Sequence, residues 1–269
     1  MINFEQILQT YFRTKKSVAV AFSGGVDSTL LAVLATKHLG DKAIAITVKS
    51  PYIPDWELLE AKEIAHKYGM RHYIIETGTP MSIADNPPDR CYLCKKEVFA
   101  QIIACAREYG IEVVADGTNV DDLKDYRPGL RALSELAVES PLKEVGMTKQ
   151  DVRDLSEALG LPTWNKPAYA CLLTRLPYGT PLELNALRMI EQAEVFMMAL
   201  GYKAVRVRKF GDLAKIEVDT ASLPSLLDME LFRQIVREFT SIGFKQVALD
   251  MSGYRTGSMN DALKLNEKV

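Results

Sequence analysis

The chain has 269 residues, of which 48% are apolar and 25% charged, with a formal net charge of −2. That is enough for one large domain or two modest ones, in the composition range of soluble globular proteins rather than disordered or fibrous chains. The charge balance gives no global pull toward nucleic acid, and no apolar run approaches the length of a membrane span.

The N-terminus lacks a basic flank and a long apolar core, so the sequence predicts no signal peptide and a cytoplasmic protein. Phe4, Ile7, Leu8, Tyr11 and Phe12 recur at helical spacing. An apolar strand-like run over 18–22 follows, then Ser23-Gly24-Gly25-Val26-Asp27-Ser28, then a helix-like run over 29–39. Strand and helix signals go on alternating: strand 43–48, helix 55–68, strand 71–76, helix 95–109 and strand 112–116. Thr148 reads as a hydroxyl cap, with Asp151 in the first turn of a helix reaching Leu159. Such alternation predicts an α/β fold, a parallel sheet with helices on both faces, whose ligands sit at the carboxyl ends of the strands.

The pattern changes near residue 180. A helix over 181–200 precedes strands 204–210 and 213–218, separated by Gly211-Asp212, a hairpin signal. A helix over 225–240 and a strand over 246–250 complete an α-β-β-α-β order. The sequence therefore predicts a first domain over 1–179, including a Pro-rich and aromatic connector at 164–179. A smaller α+β domain follows over 180–269.

The Ser23–Ser28 segment falls at a strand–turn–helix junction, which makes an anion cradle. First-turn N–H groups lack partners within the helix, and the helix dipole favours negative charge there. Paired glycines admit a phosphate close to the backbone, the two serines add donors, and Asp27 is placed to hold Mg²⁺. No G-x-x-x-x-G-K-[ST] motif occurs. The S-G-G-x-D-S pattern resembles the loop of the PP-loop ATP pyrophosphatases, which cleave ATP between the α and β phosphates and adenylate a substrate oxygen. The resemblance implies AMP-forming chemistry.

Four cysteines in a cytosolic chain argue for metal or redox chemistry before disulfides. Cys91 and Cys94 form a C-x-x-C in a loop-like stretch before a helix, and Cys171 lies in the connector. Three readings stand: an iron–sulfur cluster with one open iron, a zinc site with a non-cysteine ligand, or thiol chemistry without metal. Cys105 lies on an apolar helix face and reads as core, and His38, His66 and His72 as packing or surface residues. Arg206 and Arg208 alternate on one strand, so they share a face and could grip a phosphate; the alternative is a solvated edge. Arg127, before Pro128, reads as a nucleotide or substrate contact or as a structural ion pair.

Further segments narrow the likeness: Asp116-Gly117-Thr118-Asn119, Asp125-Tyr126-Arg127-Pro128-Gly129-Leu130, Trp164-Asn165-Lys166-Pro167 and Cys171 to Arg175. Pro177-Tyr178-Gly179-Thr180, Arg206-Val207-Arg208 and Gly253-Tyr254-Arg255-Thr256-Gly257-Ser258-Met259-Asn260 complete the set. In this order they resemble the LarE family of ATP-dependent sulfur transferases, which make the nickel-pincer nucleotide cofactor of lactate racemase. The resemblance implies that the carboxylates of pyridinium-3,5-biscarboxylic acid mononucleotide are adenylated and converted to thiocarboxylates. It implies ATP and Mg²⁺ held by Ser23, Gly24, Gly25, Asp27, Ser28 and Gly117, and a nucleotide substrate met by Arg127, Arg206, Arg208 and Arg255. It implies a 4Fe-4S cluster on Cys91, Cys94 and Cys171, as in the cluster-bearing branch, with a transferable sulfide. It also implies a homo-oligomer, a hexamer of paired trimers, and a sulfur-donor protein or free sulfide as partner. Members lacking the C-x-x-C give up the sulfur of the cysteine matching Cys171, and that sacrificial route is one alternative. The closest rival is a PP-loop tRNA thiolase, and a non-catalytic ATP-binding redox regulator and an amidating synthetase are the others. The last needs an ammonia source, for which this length leaves no glutaminase domain.

Overall fold

A computed structural model describes residues 3–124 and 128–255. Two compact units divide the chain, one of residues 1–83 and 89–169, the other of residues 84–88 and 170–269. The sequence reading put the break at 179/180. In the structure, Asn86 donates from Nδ2 to the carbonyls of Leu176 (3.1 Å) and Pro177 (2.9 Å), so 84–88 packs with the segment that follows residue 170.

In the first unit, α1 (Phe4–Thr14) starts at Asn3, whose side chain accepts the Gln6 N–H. Then follow β1 (Val18–Ala21), α2 (Val26–Leu39), β2 (Ala43–Lys49), α3 (Asp55–Lys67) and β3 (His72–Glu76). α4 (Arg90–Glu108), β4 (Val114–Ala115), α5 (Gly129–Glu135), α6 (Pro141–Glu144) and α7 (Lys149–Ala158) complete it. The four strands form a parallel sheet in the order β3-β2-β1-β4. Period-two alternation sorts the strand residues onto two faces. Val18, Val20, Ala43 and Ala45 pack with Leu30, Leu34, Ala61 and Val152, on the side of α2, α3 and α7. Ala19, Ile44 and Ile46 pack with Phe99, Ile102 and Leu133, on the side of α4 and α5.

Two local expectations change. The predicted strand 112–116 shrinks to Val114–Ala115, because Asp116 turns its carboxylate onto the hydroxyls of Thr118 and Ser140 instead of extending the ladder. The predicted helix 95–109 starts five residues earlier, at Arg90, so Cys91 and Cys94 stand on the first turns of α4 and not in a loop before it. Nothing between Arg90 and Cys94 breaks a helix, and Asp89 stands at its N-cap position without a side-chain hydrogen bond.

The second unit contains a 3₁₀ turn (Leu172–Arg175), α8 (Leu184–Ala199), β5 (Arg206–Phe210), β6 (Leu213–Glu217), α9 (Met229–Ile242) and β7 (Gln246–Leu249). β5 and β6 form the predicted hairpin, and β7 runs parallel to β6. Met197, Val207, Ile216, Ile235, Phe239 and Phe244 fill its core. Among the described residues, no helix is long and apolar enough to cross a membrane.

Candidate active site

The loop 22–25 leaves β1 at its carboxyl end, and β1 is flanked by β2 and β4. Gly24 has φ +69°, and a Cβ there would meet the Ala61 Cβ at 3.2 Å, so the turn suits glycine alone. Gly25 caps α2 without a side-chain hydrogen bond. The Ser23 and Ser28 hydroxyls face each other at 3.1 Å, and Ser28 Oγ accepts the Ser23 N–H at 3.2 Å. Two hydroxyls, glycine amides and a helix start thus share one small volume.

Asp27 is held from two sides. Asn119 Nδ2 donates to its Oδ1 at 3.0 Å, and the Lys149 ammonium pairs with its Oδ2. The amide of Asn119 is oriented by the Asp121 N–H, which donates to Asn119 Oδ1 at 3.0 Å. Lys149 is the first residue of α7, behind a capping box in which Thr148 and Asp151 satisfy each other's N–H groups. Gly117 lies against the start of α2: a Cβ there would stand 2.9 Å from Asp27 Cβ and 2.9 Å from the Ser28 nitrogen. The loop residues, Asp27 and Gly117 are therefore brought together.

On its other side the loop meets Lys166. Its Nζ donates to the Gly24 carbonyl at 3.1 Å and pairs with Glu60 at 2.5 Å. The same ammonium stands 5.7 Å from the ring centres of Trp56 and Tyr169, which pack edge to face.

None of the four cysteines is in a disulfide. Cys91 is exposed, while Cys94 is partly buried beside the Tyr52 hydroxyl, 3.3 Å from its sulfur. Burial pushes the Cys94 thiol above its ordinary range, and the Tyr52 hydrogen bond opposes that rise. Cys105 packs against the core on the α4 side of the sheet, as read from the sequence. Among the described residues, no group of three or more His, Cys, Asp or Glu side chains is gathered to hold a metal ion.

Cys171 belongs to the second unit, at the cap of the 3₁₀ turn. Its carbonyl accepts from Thr174 Oγ1 at 3.0 Å and from Arg175 Nη1 at 3.2 Å. Arg175 is buried in a two-pronged pair with Glu194 (2.8 and 2.9 Å). Glu194 also accepts the Val207 N–H at 2.9 Å, which ties the turn to β5. Arg208 donates to Glu217 (2.6 Å) and to the Thr174 carbonyl (2.8 Å). Arg206 is 3% exposed, with its guanidinium over the Tyr254 ring at 4.9 Å, so the solvated-edge alternative does not hold for it. Arg208 and Cys171 are thus neighbours through Thr174, whereas Arg255 is exposed near the end of the described residues. Arg127 and the part of the C-terminal motif after Arg255 lie outside the described residues.

Lys149, Asn119, Lys166, Arg175 and Glu194 are polar residues of these sites that the sequence reading did not single out. Lys149 carried a signal, since a cation at the first position of a helix opposes the helix dipole and needs an anion nearby. Asn119, Lys166 and Arg175 lie within motifs quoted above, but the long-range partners Asp27, Gly24 and Glu194 that give them their place leave no local mark.

The family model for asparagine synthase matches residues 3–102, a span that includes the loop. An uncharacterized protein of Synechocystis sp. is 39% identical over 95% of this chain and 96% of its own length. The pyridinium-3,5-bisthiocarboxylic acid mononucleotide synthase of Lactiplantibacillus plantarum is 37% identical over 91% of this chain and 90% of its own. The tRNA-specific 2-thiouridylase of Rickettsia massiliae is 28% identical over 57% of this chain and 52% of its own. With the Ser23–Ser28 loop at the mouth of a parallel sheet and 37% identity to the Lactiplantibacillus synthase over nine-tenths of both chains, the chain belongs to the pyridinium-3,5-bisthiocarboxylic acid mononucleotide synthase family.

Proposed function

We propose that this protein is an AMP-forming, ATP-dependent sulfurtransferase that converts the carboxylates of pyridinium-3,5-biscarboxylic acid mononucleotide to thiocarboxylates in nickel-pincer cofactor synthesis. The observation that carries the reading is the Ser23–Ser28 loop, built at the carboxyl end of β1, in a chain akin throughout to a synthase of that product. A carboxylate oxygen is a poor leaving group, so it must first attack the α-phosphorus of ATP, expelling pyrophosphate and leaving an acyl adenylate. A sulfur nucleophile then adds at the acyl carbon, and AMP departs with the oxygen.

The loop amides and the Ser23 and Ser28 hydroxyls would stabilise charge building on the leaving pyrophosphate. Asp27 fits Mg²⁺: one oxygen rests on a neutral amide, the other on an ammonium that phosphates could draw away. Arg208, which donates to Thr174 in the Cys171 turn, and Arg206 two residues before it are the candidates to bind the substrate phosphate. The thiols of Cys91 and Cys94, on neighbouring turns of α4, fit a thiolate-bound centre. A 4Fe-4S cluster on Cys91, Cys94 and Cys171 would supply a transferable sulfide. Arg127 and Arg255 are further substrate contacts in this reading. A homo-oligomer belongs to this reading, and four cysteines outside any disulfide support a reducing, cytoplasmic setting with a sulfide source as partner.

Incubation with ATP, sulfide and the biscarboxylic nucleotide should release AMP and pyrophosphate and exchange oxygen for sulfur in the product, read by mass spectrometry. Thiolation of tRNA instead, with the nucleotide left intact, would move the chain to the thiouridylase side of its relatives.

A further inference from the structure

Three features compete for a role beyond the loop itself: the apolar residues exposed at and just before α9, the Tyr52–Cys94 contact, and Lys166. Nothing in the structure says what covers the first, and the second depends on a centre at the cysteines. Lys166 touches the backbone of the phosphate loop directly.

We propose that Lys166 is a positioning residue that sets the Gly24–Gly25 peptide so that the Gly25 N–H faces the phosphates. In a trans peptide the C=O and N–H point in opposite directions, so whatever fixes one aims the other. The Gly24 carbonyl accepts from Lys166 Nζ at 3.1 Å. The N–H across the same peptide donates to Ser23 Oγ at 3.4 Å, a long bond inside the cradle that a phosphate oxygen could take over. A Gly-Gly peptide is the one in this loop most free to flip. A flip would turn a carbonyl oxygen toward the phosphates, replacing attraction by repulsion.

Lys166 is itself constrained. Its side chain is only 12% exposed, paired with Glu60 and flanked by Trp56 and Tyr169. Its backbone is held from α7, where Arg153 donates to the carbonyls of Trp164 (2.6 Å) and Lys166 (2.9 Å). Arg153 is four residues after Lys149, on the same face of α7. One helix therefore supports the loop twice, through Lys149 at Asp27 and through Arg153 and Lys166 at Gly24.

The proposal rests on the reading of the loop as a pyrophosphate cradle, and the test separates the two. Pyrophosphate and adenosine binding are measured by calorimetry on the wild type, K166M, K166R and R153M, with thermal midpoints alongside. K166M should bind pyrophosphate roughly tenfold more weakly, the loss of one hydrogen bond to an anion, with adenosine affinity unchanged. K166R should restore part of the loss, and R153M, which touches the loop only through Lys166, should weaken pyrophosphate in the same direction by roughly threefold. In ATP turnover the change should appear in KM more than in kcat. Wild-type affinity for pyrophosphate in both K166M and R153M overturns the proposal, as does an equal loss for adenosine. If K166M does not fold, R153M decides by the same criterion. A wild type that binds no pyrophosphate would instead refute the cradle.

Discussion

Lys149 and Asp27 form an ion pair between the first turns of α7 and α2, while Asn119 holds the other oxygen of the same carboxylate. If Asp27 holds Mg²⁺ as proposed, the Lys149 ammonium competes with the metal for Oδ2. K149M should let the nucleotide-free protein bind Mn²⁺ more tightly, while ATP cleavage slows roughly 10- to 100-fold for want of a phosphate partner. Paramagnetic titration of free Mn²⁺ reads the first effect and pyrophosphate release the second. Weaker Mn²⁺ binding would show that the lysine builds the metal site rather than competing for it. D27N should abolish pyrophosphate release.

Gly117 leaves no room for a side chain against Asp27 and the Ser28 nitrogen. Both neighbours are backbone or Cβ atoms at a helix start, so neither can swing aside. G117A should cost about 1–3 kcal/mol of stability and shift the loop, weakening ATP as well. Urea unfolding together with ATP calorimetry checks this, and an unchanged ATP affinity would contradict the close packing.

Cys91 is exposed, while burial raises the Cys94 thiol and the Tyr52 hydroxyl opposes that rise. In metal-free protein, alkylation at neutral pH should reach Cys91 first. The Cys94 rate should climb only in more alkaline solution, as its thiolate forms. Y52F removes the opposing hydrogen bond and should push the Cys94 profile to still higher pH, read by peptide mass spectrometry. A shift the other way would mean that the hydroxyl favours the thiol.

His72 sits beside Phe22 with Nε2 2.7 Å from the Thr47 hydroxyl, and burial holds its pKa below the usual value. The unfolded chain therefore takes up a proton that the folded one resists. Stability from this group is present above the unfolded value of 6.5 and declines as pH falls below it. H72Q should flatten the slope of the thermal midpoint between roughly pH 5 and 7. A slope identical to wild type would assign the dependence elsewhere.

Arg175 and Glu194 are a buried pair behind the Cys171 turn. E194A strands the guanidinium and the Val207 N–H, and should destabilise the second unit by about 3–5 kcal/mol. Denaturant unfolding measures it; a loss below the level of a surface mutation would mean that water replaces the carboxylate.

What was legible in the sequence was local. The alternation of apolar residues in 18–22 and 43–48, and the glycines between strand and helix, carry their own geometry and predicted the sheet and the loop's position on it. The hairpin at Gly211-Asp212 was legible for the same reason. Contacts such as Lys149 with Asp27, or Lys166 with Gly24, join residues more than a hundred positions apart and leave almost no local mark. The start of α4 was misplaced because Pro87-Pro88-Asp89 looks like the end of a loop that runs on. It is in fact the doorway of the helix that carries Cys91.

Asn86 draws the carbonyls of Leu173, Leu176 and Pro177 onto one buried side-chain amide, although the chain on either side of 84–88 belongs to the other unit. The second unit is therefore not a tail that a single cut could detach. A fragment beginning at residue 170 would lack the pentapeptide that gathers the turn after Cys171. Transplanting this unit intact would therefore need both residues 84–88 and the segment from residue 170 onward.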